Sequence, residues 1–136
     1  MDVAVLLLAA GSSRRLGGDV PKQYMEVAGK PLLLHCLNSL AHEPRFTMVQ
    51  PVIAAGDAMY ADIVAGQEFP FKLMPPVTGG AERAESMQHG LQVLPESVEW
   101  VAVHDAARPI PSGAVLKQVL DMAFEYGAAV PGIAVH

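Results

Sequence analysis

Several features are scarce or missing in the chain, and each absence excludes a class of protein. A single cysteine, Cys36, rules out a disulfide within the chain, so a reducing, cytoplasmic location is predicted. Lysine and arginine number 9 against 14 aspartate and glutamate residues, and the resulting net charge of −5 argues against a protein that wraps DNA or RNA. No apolar run is long enough to span a membrane, so we expect no membrane partner.

The composition that remains is that of a folded domain. Apolar residues make up 51% of the chain and charged residues 17%, and 136 residues suffice for one domain with one hydrophobic core. Strand patterns cover residues 3–8, 25–27, 48–55, 72–74, 100–103 and the beginning of a last strand over 128–135. Helix patterns cover residues 31–42, 58–64, 82–94 and 112–126. This alternation predicts an α/β domain with a mostly parallel sheet flanked by helices.

Some details of these elements lead to sharper expectations. Pro51 interrupts its strand pattern, and proline prefers an edge strand or a bulge because it removes a hydrogen-bond donor. Ser112 and Gly127 are expected to cap the last helix at its two ends. The helix over 82–94 is expected to bury the face formed by Ala84, Met87, Leu91 and Leu94. The chain stops at His136, immediately after the last strand pattern, and because such folds place function at strand ends, this stop predicts that the chain is truncated at its C-terminus.

The loop after the first strand carries an unusual set of side chains. The stretch "LLLAAGSSRRLGGDVPKQY" begins as a strand and then places Arg14, Arg15 and Lys22 among glycines and serines. Ligands of open α/β sheets bind beyond the carboxyl ends of the strands. The glycines let the backbone approach a ligand closely, the serines add hydrogen-bond donors, and the basic side chains add positive charge, a combination that suits a polyphosphate. Neither the P-loop pattern nor G-x-G-x-x-G fits the stretch. Arg14 taken alone is interpreted as an ordinary surface charge.

Two further loops follow predicted strands. In "TGGAERAES", residues 78–86, the glycines allow close backbone approach and the Ser86 hydroxyl can reach a small ring. The same stretch also fits a plain helix start, with Thr78 as cap and Glu82 in the first turn. In "VHDAARP", residues 103–109, Asp105 stands where it can meet a ligand or a metal ion, or else caps a turn or pairs with Arg108. The loops are predicted over residues 75–81 and 104–111.

The three motifs together resemble a known family. "AAGSSRRLGGDVPKQY" is similar to the signature of nucleotidyltransferases that activate sugar and alditol phosphates, and "PKQY" and "VHDAARP" are typical of the cytidylyltransferase branch. Over all 136 residues the chain resembles the N-terminal portion of the 2-C-methyl-D-erythritol 4-phosphate cytidylyltransferase family, of non-mevalonate isoprenoid synthesis. The resemblance implies a Rossmann-like nucleotidyltransferase fold. It also implies that residues 1–136 are the nucleotide-binding part of a single domain.

The resemblance implies roles for individual residues. Arg15 and Lys22 would be the catalytic residues that stabilise the transition state, and Arg108 would contact the substrate. Asp105 would hold Mg²⁺, the expected cofactor. The nucleotide-binding residues implied are Ala9, Ala10, Gly11, Ser12, Ser13, Gly80, Ala81, Ser86, Asp105 and Ala106. The family usually has an aspartate where this chain has Ala81, so nucleotide affinity depends on whether that contact is made by the backbone.

The reaction implied is the transfer of CMP from CTP to 2-C-methyl-D-erythritol 4-phosphate, with release of pyrophosphate. The expected partners are therefore CTP and an alditol phosphate. The resemblance implies a homodimer for a full-length enzyme, whereas this fragment is expected to be inactive and monomeric or non-specifically associated. Three alternatives stay open: a ribitol-5-phosphate cytidylyltransferase, which shares the loop and a similar "HDA-x-RP" motif, a CTP-binding module without catalysis, and a structural or interaction domain.

Overall fold

Seven strands and four helices make up the computed structural model, which describes residues 2–11, 20–108 and 112–130. The strands are β1 (Asp2–Ala9), β2 (Glu26–Val27), β3 (Lys30–Pro31), β4 (Phe46–Ile53), β5 (Lys72–Leu73), β6 (Val77–Thr78) and β7 (Val98–Asp105). The helices are α1 (Leu32–Leu40), α2 (Tyr60–Val64), α3 (Arg83–Gln92) and α4 (Gly113–Tyr126), and Lys22–Tyr24 form one turn of 3-10 helix.

The main sheet is parallel throughout its described pairings, as the alternating pattern predicts. Its strand order is β5-β4-β1-β7, and β6 pairs with the far end of β4. The predicted loop over 75–81 therefore contains a short strand. The loop predicted over 104–111 begins at residue 106 instead, because His104 and Asp105 still belong to β7. Residues 128–130 form no strand, and the rest of the predicted last strand lies outside the described residues.

Strand β1 is the centre of the core. Its residues from Val3 to Ala9 are all buried, because a strand lies on each side and helices cover both faces. One face packs Val5 and Leu7 in a cluster with residues of α1, including Leu37. The other face packs Leu6 and Leu8 with Val52 of β4 and Met87 of α3. The prediction of a central strand covered on both faces is confirmed.

Pro51 lies in an interior strand, and the prediction of an edge strand or a bulge needs correction. The carbonyls of Val49 and Ile53 accept hydrogen bonds from Met74 and Gly79, so this side of β4 faces β5 and β6. Pro51 has the same orientation and lies opposite the gap between those two short strands, where no donor is required. The Gln50 side-chain amide spans the gap, because its Nε2 lies 2.9 Å from the Pro51 carbonyl and 2.9 Å from that of Pro75.

The helix predictions hold for α1 and α4 but fail in part for α3. Leu33, Leu37 and Leu40 of α1 are buried. Helix α4 has its predicted caps, because the Ser112 hydroxyl accepts from the Val115 amide and Gly127 has φ +93°. On α3, however, the buried residues are Ser86 and Gly90, and Leu91 is exposed. A Cβ on residue 90 would meet β1 and β4 side chains at 2.2 and 2.8 Å, so the helix approaches the sheet through its glycine.

No helix within the described parts of the chain combines the length and the apolar character needed to cross a membrane.

Candidate functional site

A pocket of about 300 Å³ opens at the carboxyl ends of β1 and β7. Four segments form its walls: residues 8–11, the turn with Lys22 and Gln23, residues 80–86 at the start of α3, and residues 105–108. All of them except the turn directly follow a strand of the main sheet, which is where parallel sheets bind ligands. The described parts of the three loops singled out by sequence therefore meet at one place.

Most of the residues proposed from sequence line this pocket. Those on its walls are Ala9, Ala10, Gly11, Lys22, Gly80, Ala81, Ser86, Asp105 and Arg108. Ala106 is not on the wall; it is fully buried, its amide donates to the Leu8 carbonyl at 2.8 Å, and its neighbour Ala107 faces the pocket. Ser12, Ser13 and Arg15 lie outside the described residues, so their roles stay predictions.

Gly79 allows the segment before α3 to approach the end of β1. A Cβ on Gly79 would lie 2.5 Å from Ser86 Oγ and 2.6 Å from the Cβ of Ala10. Ser86 is only 4% exposed, and its Oγ accepts a hydrogen bond from the amide of Gly80 at 3.2 Å. A hydroxyl that accepts one hydrogen bond keeps its own hydrogen to donate. The Ser86 hydroxyl is thus held in place at the wall and retains a donor for a bound molecule.

Asp105 lies between two arginines at the end of β7. Its Oδ1 is 3.3 Å from Nε of Arg83, and its Oδ2 is 3.4 Å from Nε of Arg108. Both guanidinium groups are exposed, and ion pairs of this kind are weak enough to exchange for other partners. The pairing with Arg108 that the sequence left open is present. The sequence patterns did not identify Arg83 as a site residue. Its position as a basic residue at the start of a helix that follows a strand could have indicated it.

Lys22 stands on a short turn whose next two residues are buried. The Gln23 amide donates to the carbonyls of Ala9 at 2.9 Å and Gly11 at 3.3 Å. The Tyr24 hydroxyl donates to Asp57, and burial together with this carboxylate raises the pKa of Tyr24. Lys22 itself is exposed and makes no ion pair within the described ranges. Gln23 belongs to the "PKQY" motif, but sequence reasoning gave it no role.

The turn after β7 is supported from below by α1. The Cys36 thiol lies 3.3 Å from the carbonyl of Ala106 and 3.6 Å from that of Arg108, and the Arg108 amide donates to the Asp105 carbonyl. Burial raises the pKa of the Cys36 thiol to about 11, so it stays protonated and can donate at neutral pH. Cys36 therefore helps to hold the backbone that carries Asp105 and Arg108.

Comparisons with known proteins agree on one family. The family model described as IspD, 2-C-methyl-D-erythritol 4-phosphate cytidylyltransferase, matches residues 3–136. The bifunctional enzyme IspD/IspF of Rhizorhabdus wittichii is 41% identical over 134 residues, which is 98% of this chain and 34% of that protein. The 2-C-methyl-D-erythritol 4-phosphate cytidylyltransferase of Nitrosospira multiformis is 41% identical over 121 residues, 85% of this chain and 52% of that protein. The chain belongs to this cytidylyltransferase family.

A solved structure supports the fold. The 4-diphosphocytidyl-2C-methyl-D-erythritol synthase of Anaerococcus prevotii matches with a TM-score of 0.76 at 22% identity, covering 91% of this chain and 52% of that one. The expected Rossmann-like nucleotidyltransferase fold is thereby confirmed. The chain spans about a third to a half of the length of the curated relatives it matches.

The charges on the pocket wall suit an anion. Three cationic side chains line it, Lys22, Arg83 and Arg108, against the two carboxylates of Glu82 and Asp105. This local excess of positive charge contrasts with the net charge of −5 of the whole chain. An excess of cationic side chains of this kind favours an anionic ligand.

The described residues offer no ready-made metal cage. No group of three or more histidine, cysteine, aspartate or glutamate side chains able to hold a metal ion occurs among them. Mg²⁺ commonly takes only one or two protein carboxylates and completes its shell with waters and substrate phosphates. A single carboxylate such as Asp105, on the pocket wall, fits a cation that is bound mainly through waters and substrate phosphates. It does not fit a metal ion held by protein ligands alone.

Proposed function

We propose that this chain is the nucleotide-binding part of a single domain that transfers CMP from CTP to 2-C-methyl-D-erythritol 4-phosphate. Membership in the family supports the reaction. The observation that carries the proposal is the convergence of Lys22, the Gly80–Ser86 contact and Asp105 on one pocket at the carboxyl ends of β1 and β7. A phosphate site, a base site and a carboxylate for a cation are then side by side, as a nucleoside triphosphate requires.

The proposed reaction is an in-line displacement at phosphorus. A phosphate oxygen of the alditol phosphate attacks the α-phosphorus of CTP, the bond to the β-phosphate breaks, and pyrophosphate leaves. The protein has to position two anions and stabilise the charge that develops on the oxygens of the transferred group. Lys22 is the proposed catalytic cation within the described residues, and Arg15 is its proposed partner. The backbone of Ala9, Ala10 and Gly11 with the proposed ligands Ser12 and Ser13 would face the phosphates.

We place the cytosine base against Gly80, Ala81 and Ser86. Gly79 lets the segment before α3 lie close to Ala10. We propose that the resulting backbone frame suits a pyrimidine better than a purine. The Ser86 hydroxyl has a hydrogen to donate to an acceptor on the base. Ala81 provides backbone groups at this wall and no carboxylate, so the proposal uses backbone contacts there. Ala106 is buried behind this wall, so it would support the backbone there and would not itself contact the nucleotide sugar.

Mg²⁺ belongs to the proposal as the cofactor bound with CTP. Asp105 is the residue that would hold it, and its chemical contribution would be to offset the repulsion between the phosphates of the two reactants. The weak pairs of Asp105 with Arg83 and Arg108 would then exchange, which frees Arg108 for the phosphate of the alditol substrate. Homodimer formation by a full-length enzyme and a cytoplasmic location also remain proposals.

Binding without turnover is a second candidate for the chain by itself. It covers 52% of the Nitrosospira multiformis relative, and among the described pocket residues few cationic groups remain for the alditol phosphate once CTP is bound. The 136-residue chain is therefore expected to bind CTP and to have little or no transferase activity.

Titration calorimetry with Mg²⁺ and CTP, ATP or GTP tests the proposed function, with a pyrophosphate-release assay in the presence of the alditol phosphate. We expect CTP to bind more tightly than either purine nucleotide. Equal affinity for all three would contradict the base site, and absence of all binding would favour a structural or interaction domain. Turnover by the chain at the rate of a full-length relative would show that the acceptor site is already complete here.

A further inference from the structure

Gln23 is a buried polar residue on the pocket wall that the mechanism above does not use. It is 3% exposed and follows Lys22 directly in the chain. We infer that Gln23 is a positioning residue: it locks the turn that carries Lys22 to the backbone at residues 9–11, so that the contribution of Lys22 to nucleotide binding depends on Gln23. This inference rests on the proposed function, because it assigns Lys22 to the phosphates of the nucleotide.

The hydrogen bonds of Gln23 join two parts of the pocket. Its Nε2 lies 2.9 Å from the carbonyl oxygen of Ala9, the last residue of β1, and 3.3 Å from that of Gly11. A glutamine amide has two N–H groups, so both bonds can form together. One side chain thus connects the Lys22 turn to the start of the loop proposed to face the phosphates, across a separation of 12 to 14 residues in sequence.

A second anchor holds the same turn from its other side. Tyr24 is 3% exposed, and its hydroxyl donates to Asp57. The other oxygen of Asp57 accepts from the amides of Met59 and Tyr60, so Tyr24 is tied to the N-terminus of α2. Backbone hydrogen bonds from Tyr24 to Pro21 and from Met25 to Lys22 close the turn. The backbone of Lys22 is therefore restrained on both sides.

This restraint matters because a lysine side chain does not orient itself. Its ammonium sits on a flexible four-carbon stem, and Lys22 has no ion-pair partner within the described ranges to hold it. The position of the Lys22 Cα therefore determines which region the ammonium group can reach. If Gln23 acts in this way, removing its amide weakens nucleotide binding only while Lys22 is present.

Gln50 provides a matched control within the same chain. It is also buried, at 2% exposed, and its Nε2 also bridges two carbonyl oxygens, those of Pro51 and Pro75. It does not line the pocket. Gln50→Met and Gln23→Met remove the same chemical group from the same kind of site, but only Gln23 adjoins Lys22. General loss of stability should appear in both variants.

The test is a double-mutant cycle on this chain with Lys22→Met, read by calorimetric titration of CTP with Mg²⁺. We expect Gln23→Met to raise the Kd for CTP about tenfold in the parent chain and less than twofold in the Lys22→Met background. Such effects on binding are not additive, because residues that act through one another are energetically coupled. Gln50→Met should change the Kd by the same factor in both backgrounds. Equal factors for Gln23→Met in the two backgrounds, or no change of Kd, would overturn the inference.

Two additions keep the test decisive. Should Gln23→Met fail to fold, Gln23→Asn keeps an amide on a shorter stem that cannot reach both carbonyls, and the same cycle applies to it. Inorganic pyrophosphate serves as a second probe that needs no base site. Coupling seen with pyrophosphate but no preference for CTP would overturn the proposed function and leave the inference standing, whereas binding of neither probe would overturn both.

Discussion

The guanidinium of Arg83 and the carboxylate of Asp105 meet across the mouth of the pocket, with Nε 3.3 Å from Oδ1. Arg83 is the first residue of α3 and Asp105 is the last residue of β7, so the pair links the proposed base site to the proposed cation site. The same Arg83 lies 3.2 Å from the sulfur of Met87 through another guanidinium nitrogen. A cation bound at the proposed site would therefore have to displace Arg83 from Asp105.

Replacing Arg83 should change the Mg²⁺ requirement. We expect Arg83→Gln to lower the Mg²⁺ concentration for half-maximal CTP binding about threefold, because an exposed ion pair contributes up to about 1 kcal/mol and its loss frees Asp105 for the cation. Titrations of CTP at a series of Mg²⁺ concentrations measure this, with Arg83→Lys as the control that keeps the charge. A higher Mg²⁺ requirement in Arg83→Gln would mean that Arg83 contacts the nucleotide itself.

The two proposed catalytic cations should act on turnover. In a full-length enzyme carrying this sequence, Lys22→Ala and Arg15→Ala should each reduce kcat by an amount equivalent to about 2–4 kcal/mol, with a smaller effect on the KM for CTP. The reason is that charge on the transferred group is greatest in the transition state. Steady-state pyrophosphate release provides the measurement. Arg14→Ala and Lys30→Ala, the latter on the exposed β2–β3 hairpin, should have much smaller effects.

A change confined to KM in Lys22→Ala would assign the lysine to ground-state binding, and would contradict its catalytic role.

Gly79 should not tolerate a methyl group. Gly79→Ala places a Cβ 2.5 Å from Ser86 Oγ and 2.6 Å from the Cβ of Ala10, so either α3 or the end of β1 has to move. We expect a loss of about 1–3 kcal/mol in the free energy of unfolding and weaker CTP binding. Chemical denaturation and titration measure the two effects. At Gly113 the nearest atom to an added Cβ is 3.8 Å away, so Gly113→Ala should be tolerated, and equal losses in both variants would refute the close approach at Gly79.

Acid should destabilise the protein through Glu43. The hydrogen bond from Arg45 to this buried carboxylate, with Nε 2.6 Å from Oε1, lowers the pKa of Glu43 in the folded state. Because the pKa of Glu43 is lower in the folded than in the unfolded protein, its ionised form stabilises the fold. This stabilisation is fully present above the pKa of the unfolded state, about 4.3, and is lost as the pH falls through the pKa of the folded state. The free energy of unfolding should therefore decrease as the pH is lowered below about 5.

Removing the partner of Glu43 should flatten this pH dependence. Arg45→Met leaves a buried carboxylate without its ion pair, and we expect it to cost about 2 kcal/mol at pH 7 and less in acid, once Glu43 becomes protonated. Denaturation curves at several pH values provide the measurement. Lys117→Gln, which removes a pair with Asp121 on the surface of α4, is the control and should change stability by less than about 1 kcal/mol. Parallel pH curves for the parent and Arg45→Met would disprove the role of Glu43.

Local patterns in the sequence were enough to predict most elements and the position of the site. A continuous apolar run predicted β1 as a buried central strand, since only a strand covered on both faces can bury every side chain. Ser112 and Gly127 predicted both ends of α4, because caps act through backbone groups within one helical turn. The strand-end loops predicted the pocket, since parallel strands bring their carboxyl ends to the same edge of a sheet.

Distances between segments were decided only by the tertiary structure. Periodicity in α3 predicted burial of Leu91, but the helix rests on β1 and β4 through Gly90, because the closest approach is possible where no Cβ intervenes. The pairing of Arg83 with Asp105 and the bridge from Gln23 to Ala9 and Gly11 join residues 12 to 22 positions apart. A local pattern carries the type and spacing of such residues. It does not contain the packing of strands and helices that brings their atoms within hydrogen-bonding distance.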